Sequence, residues 1–91
     1  MQAEFEARPE VAALPAGYIG DIVTGCHAVR IRNTSQTDAL TIDVSGTPFA
    51  VAAGTSWGME TGDVRAIIMR PIKLQTGAAT ALVERIFFSK L

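Results

Sequence analysis

The stretch TIDVSGTPFAVAAGTSWGMETGD, Thr41–Asp63, decides the fold. Leu40, Ile42 and Val44 alternate with Thr41 and Asp43, the period-two pattern of a strand with one buried face. Ser45-Gly46-Thr47-Pro48 reads as a corner, because glycine and proline punctuate regular structure. Phe49 and Val51 resume the inward face until Ala53-Gly54-Thr55-Ser56 turns the chain again. Trp57 and Met59 follow, then the polar turn Glu60-Thr61-Gly62-Asp63.

The same grammar extends both ways. Ile19 to Thr24 is a short apolar run ended by Thr-Gly. In His27 to Arg32, Val29 and Ile31 face in and Arg30 and Arg32 face out, and Asn33 to Asp38 is a polar loop. Val64 to Met69 reads as a buried run. Pro71, which cannot donate to a ladder, marks an edge, a bulge or a strand end, and Ile72-Lys73-Leu74 restarts the strand. Gln75 to Ala79 is a small-residue loop around Gly77. Thr80 to Leu91 contains helix-favouring Ala, Leu and Glu, but Ile86-Phe87-Phe88 has strong strand propensity. As a strand it places Leu82, Ile86 and Phe88 on one face with Glu84. The expectation is an all-β chain of about seven short strands, a single small β-sandwich or barrel over residues 18–91.

Residues 1–17 differ and are expected to form an extended N-terminal docking arm. Pro9 would open one or two helical turns and Pro15 would end them, too short a helix to stand alone in water. The apolar side chains Phe5, Val11, Leu14 and Tyr18 favour an arm held by another surface over a solvated tail. The charge is uneven as well. Residues 1–21 hold Glu4, Glu6, Glu10 and Asp21 against Arg8, net -3. Residues 22–91 hold five acids and seven bases, net +2. An acidic leader on a mildly basic body suits contact with a basic face, for which Arg65, Arg70 and Lys73 are the candidates.

With 91 residues, the chain has room for one core. A formal net charge of -1 argues against binding nucleic acid through its phosphates. The acidic start lacks a signal-like apolar run, and no stretch reaches membrane-spanning length. The single cysteine, Cys26, permits no intrachain disulfide and suits a reducing compartment. Cys26-His27 is the one reactive-looking pair, but neighbours on a strand point to opposite faces, and no second histidine exists to serve as base or ligand. Glu60, Asp63 and Asp43 lack calcium-loop spacing. Asn33-Thr34-Ser35 matches a glycosylation sequon, without weight in the absence of a secretion signal. No catalytic residue, metal site or cofactor is expected.

From Ala28 to Phe88, about two-thirds of the chain, the cadence is recognisable. VRIRNTSQTDALTIDVSGTPFAVAAGTSWGME runs strand, polar loop, strand, Gly-Pro corner, strand, turn, and IKLQTGAATALVERIFF feeds a last strand from a Gly-Ala loop. This resembles the small β-sandwich structural proteins of tailed bacteriophage particles: capsid decoration (cement) proteins, head–tail joining components and fibre-base domains. The resemblance implies a non-enzymatic virion protein, assembled in the host cytoplasm. It would dock on copies of itself and on other particle proteins such as a major capsid protein, as a homo-oligomer. Its arm would be the docking device. The rival expectation is a binding module for carbohydrate or protein, with Trp57 as its platform.

Overall fold

The computed structural model describes residues 5–22, 24–62, 66–69 and 71–90. They form eight strands and no helix: β1 Phe5–Leu14, β2 Ile19–Ile22, β3 Ala28–Asn33, β4 Leu40–Val44, β5 Thr47–Val51, β6 Ser56–Glu60, β7 Ile72–Gln75 and β8 Ala81–Lys90. A front sheet has the order β1-β8-β3-β6 and a back sheet the order β2-β7-β4-β5, with all neighbours antiparallel. The expected all-β sandwich is therefore the fold, in the form of an eight-stranded jelly roll.

Its logic is nested pairing. β4 pairs with β5, β3 with β6, β2 with β7 and β1 with β8. The chain is one long hairpin bent at Ser45-Gly46 and rolled up, so that β8 also meets β3 and β7 also meets β4. Ser45 and Gly46 have φ of 53° and 91°. Positive φ at both central residues makes a type I′ turn, whose twist matches that of the flanking strands. The Gly46 N–H is held by Asp43 Oδ1 at 2.7 Å and the Ser45 N–H by the Pro71 carbonyl at 3.1 Å. Pro48, next to this turn, sits on edge strand β5, where a missing donor costs least.

The core lies between the sheets. Ile31 from the front and Leu40, Ile42, Ile72 and Leu74 from the back are fully buried, and Val29, Val51 and Val83 complete the layer. Trp57 on β6 and Phe49 on β5 pack at 5.4 Å between centroids and close the side where those two edges meet. Two polar side chains are buried to fasten loops. Asn33 donates through Nδ2 to the carbonyls of Asp38 (2.8 Å) and Val51 (3.0 Å), and its Oδ1 accepts from the Ser35 N–H (2.9 Å). It ties the front sheet to the back sheet, and its amide has no hydrogen to spare for glycan attachment. Thr76 accepts at Oγ1 from the Tyr18 N–H (2.9 Å) and donates to the Pro15 carbonyl (2.9 Å), clasping the β1–β2 connection.

The leader departs from expectation. No helical turn forms between Pro9 and Pro15; Phe5–Leu14 is a ten-residue strand paired along its length with β8, from Phe5↔Lys90 to Leu14↔Ala81. The proline does not break it. Thr34 donates to the Thr80 carbonyl (3.0 Å) in step with the β3–β8 register, so even-numbered residues of β8 bond β3 and odd-numbered ones bond β1. Pro9 lies opposite Ile86, an even position, so its missing N–H falls on the open edge. Past the end of β3, β1 and β8 continue as a two-stranded ribbon, with the Arg8 and Arg85 guanidinium groups 5.3 and 5.7 Å from the Phe87 ring centroid.

Two outcomes follow from the turn and the clamp. Ser45→Asn supplies a residue better suited to positive φ and is expected to stabilise by about 0.5 kcal/mol, read as a rise of about 2–4 °C in melting temperature. Asn33→Ala strands two carbonyls and is expected to cost about 2–4 kcal/mol in a urea titration.

Candidate functional site

Among the described residues, mostly aliphatic side chains pack the space between the sheets. The usable surface lies outside, and the two outer faces differ. On the back sheet the register sets Lys73 opposite Asp21 on one side and Asp43 on the other, with Gln75 and Thr41 beside them. Lys73 is thus flanked by carboxylates. Arg65 and Arg70, the other two members of the expected basic face, lie outside the described residues.

On the front sheet, alternation sends Ala28, Arg30 and Arg32 of β3 outward together with Leu82, Glu84, Ile86 and Phe88 of β8. Pro9, Val11 and Ala13 of β1 join that face through the β1–β8 register, and Ser56, Gly58 and Glu60 of β6 through the β3–β6 register. Val11 is 63% exposed and Ile86 38% exposed. Here lies a hollow of about 400 Å³, walled by Pro9, Val11 and Ile86 on one side and by Arg30 and Glu60 on the other. Gly58 contributes to its lining; a Cβ there would come within 3.0 Å of the Val29 carbonyl oxygen, so the position resists any side chain. A second hollow of about 240 Å³ shares Ala28, Glu60 and Ile86 with the first and continues past His27 to Phe88. Together they make one trough.

Charges on this face are balanced. Arg30 stands opposite Glu84 in the register, and Arg32 Nη2 lies 3.5 Å from Glu84 Oε1. At the ribbon end, buried His27 fixes where β8 leaves the sheet: its N–H donates to the Ile86 carbonyl (2.8 Å), its Nδ1 accepts from the Phe88 N–H (3.1 Å), and the two rings meet edge-on at 5.0 Å.

Of the four apolar residues expected to act together in the arm, the three whose side chains are described are separated. Val11 faces the trough, whereas Leu14 and Tyr18 are half-buried against the core, and the Phe5 side chain lies outside the described residues. Trp57 points between the sheets, half-buried against Phe49, rather than out as a platform. The Val64–Met69 run is not uniformly buried: Ile68 is, bridged to Cys26, while Ile67 and Met69 are 46% and 70% exposed. Glu60 and Asp43 sit on opposite outer faces, and Asp63 lies outside the described residues. Among the described residues no group of three His, Cys, Asp or Glu could hold a metal ion. No helix there is long and apolar enough to cross a membrane. The trough went unnoticed in the sequence because it requires knowing that Val11 and Ile86 lie on adjacent strands. One signal was present: Leu82, Glu84, Ile86 and Phe88 share a face that mixes apolar and charged residues.

Cys26 is fully buried, and burial pushes its thiol above the ordinary value of 9.0. A raised value favours the protonated thiol in the fold, the reverse of nucleophile activation. Below pH 9 both folded and unfolded chains hold that proton; above it the unfolded chain loses the proton first, so this contribution to stability falls as pH rises. The melting temperature of the native chain should therefore decline more steeply from about pH 9 than that of Cys26→Ala, compared in parallel pH series.

No protein-family model matches the chain, and no curated protein sequence matches it. Solved structures do. A conserved Streptococcus pyogenes protein of unknown function superposes with a TM-score of 0.59 at 17% identity, covering 96% of this chain and 68% of that one. A Neisseria meningitidis protein superposes at 0.56 and 13% identity, covering 98% and 79%. A de novo designed double-stranded β-helix superposes at 0.54 and 18% identity, covering 90% and 99%. At such identities the likeness is one of fold, and the rolled hairpin described above is a double-stranded β-helix.

Proposed function

We propose that this chain is a non-enzymatic structural protein of a phage-like particle, a decoration or minor component held on neighbouring subunits through the trough of its front sheet. The observation that carries this reading is the asymmetry of the two outer faces. Ile19 stands exposed on the back face beside Gln75 among polar groups, whereas the front face gathers Val11 and Ile86 at the wall of one trough. Contiguous exposed apolar surface rimmed by charge marks an interaction site. The particle setting rests on the sequence cadence from Ala28 to Phe88 and on a topology that viral capsid domains share with lectins and cupins. The arm keeps a role in docking, but as a wall: β1 supplies Pro9 and Val11 while one edge of its backbone pairs with β8. Trp57 rests half-buried against Phe49, which favours docking through the trough over the carbohydrate-binding alternative.

The test is composition. Particles banded on a density gradient from a producing culture are digested and quantified by mass spectrometry. Recovery of this chain at a fixed ratio to the major shell protein, reduced severalfold by Ile86→Lys, is the expected result. Its absence from the band, with the free chain remaining at the top of the gradient, overturns the proposal.

A further inference from the structure

The geometry points to a second copy of this chain as the occupant of the trough, in a two-fold, face-to-face dimer of front sheets. The inference rests on the reading of the trough as the contact face and names what fills it. Three observations support a like partner. The face carries both signs of charge in equal number, Arg30 and Arg32 against Glu60 and Glu84, so it is complementary to itself. Its strands, of 10, 10, 6 and 5 residues at about 3.3 Å rise and about 4.8 Å spacing, present a face of about 500 Å², which doubled reaches the roughly 1,000 Å² that a specific interface needs. Finally, the front edge strand β1 has Pro9 mid-strand with its missing donor on the open side, which blunts continuous addition at that edge.

Register fixes the arrangement. A two-fold axis lying along the strands, between β8 and β3, sets β8 of one copy over β3 of the other. The row Val11–Glu84–Arg30–Gly58 then places Glu84 against Arg30 of the other copy, twice by symmetry. The next row, Pro9–Ile86–Ala28–Glu60, places Ile86 on Ala28, a large apolar side chain over a small one. Gly58 leaves the space in which the two layers approach. Sheets stacked in this aligned fashion cross at about 30° and bury their facing side chains in one layer.

The pairing yields a charge-swap test. The 91-residue chain is measured by light scattering from about 1 to about 100 µM. A mass of twice 9.7 kDa is expected. Arg30→Glu alone, and Glu84→Arg alone, put like charges against each other at both symmetric contacts and should each weaken self-association roughly tenfold or more. Mixing the two variants restores opposite charges at every contact and should recover the dimer. Lys73→Glu, on the back sheet, should leave it intact. Thermal melts of each variant verify folding, and a native mass spectrum of the mixture, with one variant isotope-labelled, reads the mixed dimer even where one variant is marginally stable. A monomer across the whole range, or a dimer indifferent to both swaps, overturns the inference. These outcomes separate from the particle test. A monomer that still bands with particles sinks the dimer and leaves the structural role, and a dimer absent from particles does the reverse.

Discussion

One constraint organises the molecule: the chain is a single hairpin bent at Ser45-Gly46 and then rolled. Two consecutive residues with positive φ give the bend the twist that the strands require. From there each strand's partner is set by distance from the turn, β4 with β5, β3 with β6, β2 with β7 and β1 with β8. Rolling brings β8 onto β3 and β7 onto β4, and the two sheets follow. Asn33 locks the roll, because one side chain on the front sheet holds carbonyls of the Asp38 loop and of β5. An amide that satisfies three backbone groups in a fully buried place stabilises by geometry as much as by energy, since every alternative leaves one of them dry and unpaired.

Much of this was legible in the sequence. β3, β4, β5 and β7 alternate cleanly because one face of each is core and the other is water. The glycines 46, 54, 62 and 77, read as turn residues, all have positive φ. β8 was correctly favoured as a strand through Ile86-Phe87-Phe88, against the helical propensity of its first half. The helical turns that Pro9 and Pro15 suggest do not form in the leader, for a physical reason. Two prolines in a short segment have local meaning, a helix start and stop, and their actual meaning is long-range: Pro9 fits because its partner in β8 bonds the other neighbour. Local grammar could not show that pairing. Nor could it show the trough, whose walls come from strands far apart in sequence.

A jelly roll can use its interior or its exterior. Here Ile31, Leu40, Ile42, Ile72 and Leu74 fill the space between the sheets, with Trp57 and Phe49 stopping one side. Cys26 and His27, the residues with the most chemistry to offer, are both buried and serve the fold, one in the core and the other at the root of the ribbon. What is left to meet the outside is shape, apolar area and balanced charge on one sheet. Fold alone does not assign a role to such a surface. What makes it informative is that Val11 and Ile86 meet there in one trough, whereas Ile19 on the back sheet stands beside Gln75.

The nested order of pairing also dictates a sequence in time. The β4–β5 hairpin closes a two-residue loop and can form as soon as both strands exist, on the microsecond scale of hairpins. Each further pair must close a longer loop, whose entropic cost grows only slowly once the inner pairs are in place. β1 is different. It is made before all the other strands, and its partner β8 emerges after them all. During synthesis, at roughly 5–20 residues per second, β1 therefore waits for several seconds without a ladder. Val11 then stands among small, proline-marked and charged neighbours, which keep the waiting strand a poor seed for aggregation.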